Sequence, residues 1–431
     1  MKSRVLPLAL AATLAVTLAA AGCGGDPGEN ATTGGKVELS FWSWVDIGKA
    51  VDLWNSRNPD IQVKLNAVPG GSQGTYTKMY AAVKAGNAPD IGQIEYAFLP
   101  NFVQLGNLVD IAPHISAETK AAFPEWTWAL SSGGGRTYAI PQDIAPMGLF
   151  YRKDLFAAAG ITRPPATWAE YARDAELIKK KFPKAYIANF PTNQADWYAG
   201  VVWQAGGRWF TQQGDKWGVS INDPASVKVG DYWQDLIDRK LVKAEGFWSE
   251  AWNKELQDGT LASWVVGAWG GPNLAKAAPT TKGKWAVAPL PQWEAGANTT
   301  GNWGGSTTVV FKGSKHPKEA TRFMSWLNSD PEAMAILADD GGLYMAANAF
   351  TRSANYTAAA DFFGGQKVYE TIGGQTLSPD WRWGPTMSDV FTAFQDGTGR
   401  LESGSGRIAD VLTETQTKTV TAMTSAGFPV A

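Results

Sequence analysis

The chain has 431 residues, with 38 Lys and Arg against 40 Asp and Glu, and so a formal charge of −2. A balance this mild gives no reason to expect nucleic acid or an anionic membrane surface as a partner, and a single cysteine, Cys23, excludes disulfides and cysteine-ligated metals in the body of the protein. Only two histidines occur, His114 and His316, and neither has neighbouring ligand-type residues, so both read as loop or helix-start residues rather than metal ligands.

In chain order the first feature is an export signal over 1–22. Lys2 and Arg4 form a basic start, Leu6 to Ala21 are almost wholly apolar, and Ala20-Ala21-Gly22 place small residues before the cysteine. This segment is too short and wrongly flanked for a stable membrane span. Around Cys23 the sequence resembles a bacterial lipoprotein lipobox, with Ala20 where leucine is commoner and the nearest leucine at Leu18. The resemblance implies that the Cys23 sulfur carries lipid, such as palmitate, and tethers the chain to the cell membrane on its extracytoplasmic side. An ordinary secretory signal with an incidental cysteine is the alternative. Cleavage would remove Lys2 and Arg4 and leave 36 basic against 40 acidic side chains, a formal charge of −4. Residues 23–36 are small and polar and predict a flexible linker reaching on the order of 20 Å.

Beyond the linker, Val37, Leu39 and Phe41 alternate with Glu38, Ser40 and Trp42, a predicted strand ending in Trp42-Ser43-Trp44. Ile47, Ala50, Val51 and Trp54 recur at helical spacing until Asn58-Pro59. Ile61, Val63, Leu65 and Ala67 alternate again, a helix is predicted from about Tyr76 to Ala85, and Pro89-Asp90-Ile91 opens a third strand. This β-α-β-α-β order predicts a parallel sheet wrapped by helices. Later, Thr167-Trp168-Ala169-Glu170 reads as a capping box, and Asp223-Pro224 and Asp330-Pro331 each set an N-cap before a first-turn proline. Trp264-Val265-Val266 and Trp285-Ala286-Val287 are strand-like. At this length two domains are the default.

Several segments together resemble the family 1 extracellular solute-binding proteins of ABC importers, the group that includes maltose-binding protein. They are Asn87-Ala88-Pro89-Asp90-Ile91, Leu105 to Asp110, Tyr138-Ala139-Ile140-Pro141, Leu149 to Phe156, Ala159-Gly160-Ile161 and Pro164 to Trp168. Asp258 to Ala262, Gly267-Ala268-Trp269, Ala288 to Pro291, Trp303 to Ser306 and Lys318-Glu319-Ala320 continue the series. The resemblance covers roughly 37–345 and is loose beyond. It implies an α/β, two-lobed periplasmic-binding-protein-like fold of type II, each lobe a mainly parallel sheet flanked by helices, with the ligand cleft between lobes. By that analogy 37–142 and 296–345 form lobe 1, and 146–292 and 348–431 form lobe 2. The implied role is capture of a carbohydrate, a di- or oligosaccharide, and delivery to ABC transporter permease subunits. The protein would act as a monomer, without a cofactor and without catalysis.

Twenty-one tryptophans suggest why a sugar would suit. An indole offers a broad apolar plane to the C–H face of a sugar ring, while carboxylates, amides and Arg take its hydroxyls. Trp42 and Trp44 stand at a strand's carboxyl end, where ligands of open α/β sheets bind; packing on the first helix is the other reading. Glu95 and Tyr96 follow the third strand at the equivalent place, with a solvated loop as the alternative for Glu95. Gln142 and Asp143 fall at the first expected crossing between lobes, where Asp143 could instead cap a turn. Trp269, between Gly267 and Gly270-Gly271, and Trp303, before Gly304-Gly305, are expected ligand platforms because glycine permits close approach. Trp381-Arg382-Trp383 repeats the theme, with Arg382 either donating to hydroxyls or stacked on a ring. Trp126-Thr127-Trp128 and Trp248 to Trp252 read as packing.

Two further readings compete. A secreted glycoside hydrolase would need two carboxylates flanking one bond, about 5–5.5 Å apart for retention, with Glu95 and Asp143 the nominees; no nucleophile elbow, phosphate loop or metal motif accompanies them. The same fold could instead take a polyamine, a phosphorylated polyol or a metal chelate. Phosphate would call for several Lys or Arg in the cleft, and a cation for acids beside aromatic faces.

Overall fold

The computed structural model describes residues 36–71, 74–214 and 216–431. The expected signal 1–22, Cys23 and the linker up to residue 35 lie outside the described residues. The first elements follow the sequence pattern: β1 (Val37–Ser43), α1 (Gly48–Arg57), β2 (Ile61–Ala67), α2 (Thr75–Ala85), β3 (Ile91–Glu95) and α3 (Leu99–Gln104). The chain continues through β4 (Ala139–Pro141), β5 (Asp143–Ile144), β6 (Met147–Arg152), α4 (Trp168–Lys181), β7 (Ala188–Phe190), α5 (Ala195–Gln204) and α6 (Pro224–Asp238). Then come β8 (Val242–Ala244), β9 (Ser263–Gly267), α7 (Gly270–Ala277), β10 (Trp285–Pro289), β11 (Ser306–Val310), α8 (Pro317–Ser329), α9 (Pro331–Asp339), β12 (Tyr344–Met345) and α10 (Met387–Thr398).

The first sheet has the order β2-β1-β3-β11-β4. β1 is parallel to β2 and to β3, as expected, because a helix returns the chain to the same edge after each strand. β11 is antiparallel to β3 and β4, since it brings the chain back from the other side of the molecule. The second sheet, β9-β6-β10, is antiparallel at both pairings, which the resemblance did not anticipate. Here β6 is the entering strand; β9 and β10, joined by α7, share a direction on either side of it. β7 and β8 pair in parallel beside this sheet.

The caps form at all three expected helix starts. Thr167 Oγ1 accepts from Glu170 N at 3.1 Å, Asp223 accepts from Ser226 N at 2.6 Å, and Asp330 accepts from Glu332 and Ala333 N; each such cap is worth about 1 kcal/mol. Glu170 reaches back one residue further than a capping box requires, accepting from Ala166 N at 2.7 Å while Arg163 grips both its oxygens.

Tryptophan is mostly spent on the core. Trp168, Trp197, Trp209, Trp233, Trp252, Trp264 and Trp285 are all fully buried, each such burial contributing roughly 3 kcal/mol. On the first sheet, α1 buries Ala50, Val51 and Trp54, and Trp54 meets Phe323 of α8 edge-on at 5.3 Å.

Three segments run side by side between the sheets: 142–147, 300–306 and 344–347. Ala145 N donates to Asn302 Oδ1 at 2.7 Å and Trp303 N to Ala145 O at 3.0 Å, while β5 pairs antiparallel with β12. Gly301 also rests on α5: a Cβ there would lie 1.8 Å from the carbonyl oxygen of Gly200.

Candidate functional site

A cavity of about 640 Å³ opens at the carboxyl ends of β1 and β3, a size usual for small-molecule sites. Trp44, Gln93, Glu95 and Phe98 line it from the first sheet. Asn193, Gln194 and Asp196 at the start of α5, with Trp248, Trp269, Asn273, Phe391 and Gln395, line it from the other side. The crossing segments contribute Asp143 and Trp303 to Ser306.

Three carboxylates share this space. Tyr76 of α2 donates to Glu95 Oε2 at 2.8 Å and accepts from Glu95 N at 3.0 Å, which fixes the side chain at the strand end. Burial pushes the Glu95 carboxyl up to about 8, the charge of Asp196 adds to this, and the Tyr76 hydroxyl pulls back. Asp143 is only 4 % exposed and accepts from both the backbone N and the hydroxyl of Ser306, at 2.9 and 2.5 Å. Its burial outweighs those donors and raises it to about 6. Asp196 lies in the first turn of α5, where the helix dipole favours a negative charge; burial nonetheless raises it to about 6, against hydrogen bonding from the Trp303 indole and the Trp197 amide.

The opposite wall is indole. Trp269 Nε1 donates to Trp303 O at 2.8 Å, and the two rings meet edge to face at 4.7 Å. The glycines beside them make room for this contact, not for a ligand alone: a Cβ on Gly267 would lie 2.8 Å from both Trp269 Nε1 and Trp303 O. Trp303 itself is 2 % exposed, covered by Trp269 and by Phe247 at 5.5 Å, so it supports the wall more than it faces the cavity. Trp248 is the open ring, 42 % exposed and 5.9 Å from Trp269. Its φ of 76° is one that a bulky residue adopts only under strain. Asn193 clamps the preceding residue, accepting from Phe247 N at 2.9 Å and donating to Phe247 O at 3.1 Å, and so holds the turn that presents the ring.

The structure therefore brings Trp44, Glu95, Asp143, Trp269 and Trp303 to one cavity and leaves six other expected residues behind it. Trp42 packs, as Trp44 does, against the apolar cluster of Tyr76, Met79 and Phe102, on the face of β1 opposite to Leu39 and Phe41, but it does not line the cavity. Tyr96 and Gln142 are buried beneath the cavity; Gln142 Oε1 accepts from Ser306 Oγ within the crossing segments. Trp381 is buried in a stack on Trp203, at 5.2 Å and 10°. Arg382 and Trp383 line a separate cavity of about 220 Å³ beside α3, and Arg382 lies over no ring among the described residues. Sequence reasoning missed Asp196 and read Trp248 as packing. The signal for the first was the polar run Asn193-Gln194 ahead of an apolar helix; for the second, the pairing of Gly246 with three aromatics in six residues. Among the described residues no group of His, Cys, Asp and Glu could hold a metal ion.

Two α/β bodies, joined by three adjacent crossings and enclosing a polar cavity with an indole wall, define a two-lobed solute-binding protein. Residues 42–334 match the bacterial extracellular solute-binding protein family, and the chain belongs to it. It is 27 % identical to the arabinooligosaccharide-binding protein of Bacillus subtilis over 74 % of either chain. Its structure is similar to the galacto-N-biose/lacto-N-biose I-binding protein of a Bifidobacterium longum ABC transporter, solved with lacto-N-biose, with a TM-score of 0.83, 29 % identity and coverage of 93 % of this chain and 100 % of that one. A binding protein from B. animalis subsp. lactis, solved with beta-1,6-galactobiose, gives a TM-score of 0.80 at 28 % identity, covering 92 % and 100 %.

Proposed function

We propose that the protein captures a di- or oligosaccharide in the cleft between its lobes and delivers it to the permease of an ABC importer. The observation that carries the reading is the pairing, in one cavity, of open indole faces on Trp248 and Trp269 with the acceptors Glu95, Asp143 and Asp196. Indole planes suit the C–H faces of sugar rings, and carboxylates accept from their hydroxyls. The sugar specificities named for the relatives point the same way.

In this reading 37–142 with 296–345 form one lobe and 146–292 with 348–431 the other, in keeping with the membership of the two sheets. The lobes close on the ligand about the three crossing segments, and the ligand drives closure by binding the closed state better. Lipid on Cys23 holds the protein, a monomer, at the outer face of the membrane. Phosphorylated polyols fit poorly, since Lys276 is the one basic residue among the described residues that line the cavity. Hydrolysis is no part of the proposal: the family is one of binding proteins, and a reporter glycoside should remain unconverted.

The direct test titrates the purified protein with sugars, polyamines and phosphorylated polyols, following tryptophan fluorescence and thermal shift. A saturable response to one sugar class is expected, weakened at least about tenfold in Trp269→Ala. A response confined to polyamines or phosphates would end the carbohydrate reading and leave the fold assignment untouched.

A further inference from the structure

The charges around the cavity do not balance. Glu95, Asp143 and Asp196 approach it from β3, from a crossing segment and from α5. At the mouth, Asp340 is already paired with Lys49 at 2.8 Å, and Asp46 and Lys276 are exposed to solvent. No Lys or Arg acts on any of the three inner carboxyls, among the described residues. Asp143 spends one oxygen on Ser306, and Glu95 spends one on Tyr76; among the described residues no second side chain donates to either carboxyl.

Closing such a cleft over a neutral ligand encloses three acids without a countercharge, with the charges of Asp196 and Asp143 both acting on Glu95. The enclosed acids must then hold protons that water would otherwise let them lose. An ammonium group supplies both the missing charge and three N–H donors. Its hydrogen bonds to carboxylates are shorter and stronger than those of a neutral hydroxyl. The indole rings of Trp248 and Trp269 line the same cavity, and a cation over such a face gains further attraction. Anionic sugars meet the opposite conditions and are repelled.

We infer that the sugar bound by this cleft carries a protonated amine on one ring, an amino sugar rather than a wholly neutral or N-acetylated one. The inference rests on the carbohydrate reading above and narrows it. The amine sits among Glu95, Asp143 and Asp196, while the remaining ring faces lie on the indole wall.

Matched disaccharides test it by calorimetric titration: chitobiose against diacetylchitobiose and cellobiose, and lactosamine against N-acetyllactosamine and lactose. Within at least one series the amine member should bind about tenfold more tightly than both partners. That advantage should fall to near parity in Asp196→Asn. Titration of the unmodified protein at pH 6 in two buffers of different ionisation enthalpy supplies a readout that needs no variant. The amine is then fully charged, and its arrival should expel protons from the carboxyls. If a hydroxyl or N-acetyl member binds as well as the amine, or if no proton is released, the inference is overturned and the carbohydrate reading stands. If all six disaccharides are silent, the inference is overturned, and the carbohydrate reading is decided by the wider ligand screen above.

Discussion

Trp168 gathers Tyr171, Trp233 and Trp293 around it, and Trp197 joins through Trp233, with ring spacings of 5.1–5.7 Å. Trp248, Trp252, Trp264, Trp269 and Trp303 form a second cluster with spacings of 4.7–5.9 Å and the same preference for edge-on or tilted contacts. Judged by ring geometry the two are alike. They differ in what borders them. The first is buried except at Trp293, which is half-buried under the Lys228 ammonium, whereas the second ends in a ring held open at a strained φ, with carboxylates lining the same cavity. A high count of indoles therefore does not mark a binding surface. What sets the second cluster apart is an open ring at a strained φ and the carboxylates that line its cavity.

The comparison can be broken at three points. Trp233→Ala, in the enclosed cluster, should cost about 3–5 kcal/mol of stability through the cavity it leaves; chemical denaturation should show this, while ligand affinity of the folded fraction stays near that of the unmodified protein. Trp269→Ala should do the reverse. At Trp248 the strain can be isolated. Trp248→Gly and Trp248→Ala lose the same ring, but only glycine is at ease at φ 76°, so the glycine variant should be the more stable by about 1 kcal/mol. Should the alanine variant prove equal, the backbone there carries no strain.

The smallest effect is that of pH on the unliganded protein. Raised carboxyl values mean that the folded state holds protons more tightly than the unfolded chain does. Their contribution is complete below the ordinary carboxyl range and is lost as Asp143 and Asp196 ionise near 6 and Glu95 near 8. The melting temperature should decline from pH 5 to pH 8, and Glu95→Gln should flatten the upper part of that decline.

Much of the first lobe could be read from the chain because its signals are local. The alternation in 37–43 and 61–67 and the helical spacing of Ala50, Val51 and Trp54 depend only on neighbours in sequence. The reversed directions of β11 and β6 depend on where the chain re-enters each sheet, which no local pattern encodes. The site divides likewise. Glu95 and Trp44 could be found because strand ends imply a cleft. The glycines at 267, 304 and 305 pointed to Trp269 and Trp303 for a partly different reason from the one expected: they admit one ring against the other's backbone. In Trp381-Arg382-Trp383, which had the same composition as a site, Trp203 supplies Trp381 with the stacking partner that a ligand would have supplied, while Arg382 and Trp383 line the smaller cavity. Trp248 owes its exposure to a backbone angle and to the Asn193 clamp, and Asp196 owes its place to the packing of α5; neither is a property of sequence spacing.

The contact between Gly200 and Gly301 carries a mechanical consequence. Asp196 stands four residues before Gly200, one turn along the same face of α5. The helix is thus a short rigid lever, with a cavity-lining acid at one end and a backbone-on-backbone bearing against a crossing segment at its middle. Force applied to Asp196 by whatever the cleft holds is delivered to that bearing without passing through a side chain. Bare glycine on both surfaces leaves no soft material to absorb it, and any side chain introduced there would act as a shim, setting how far the two lobes can approach.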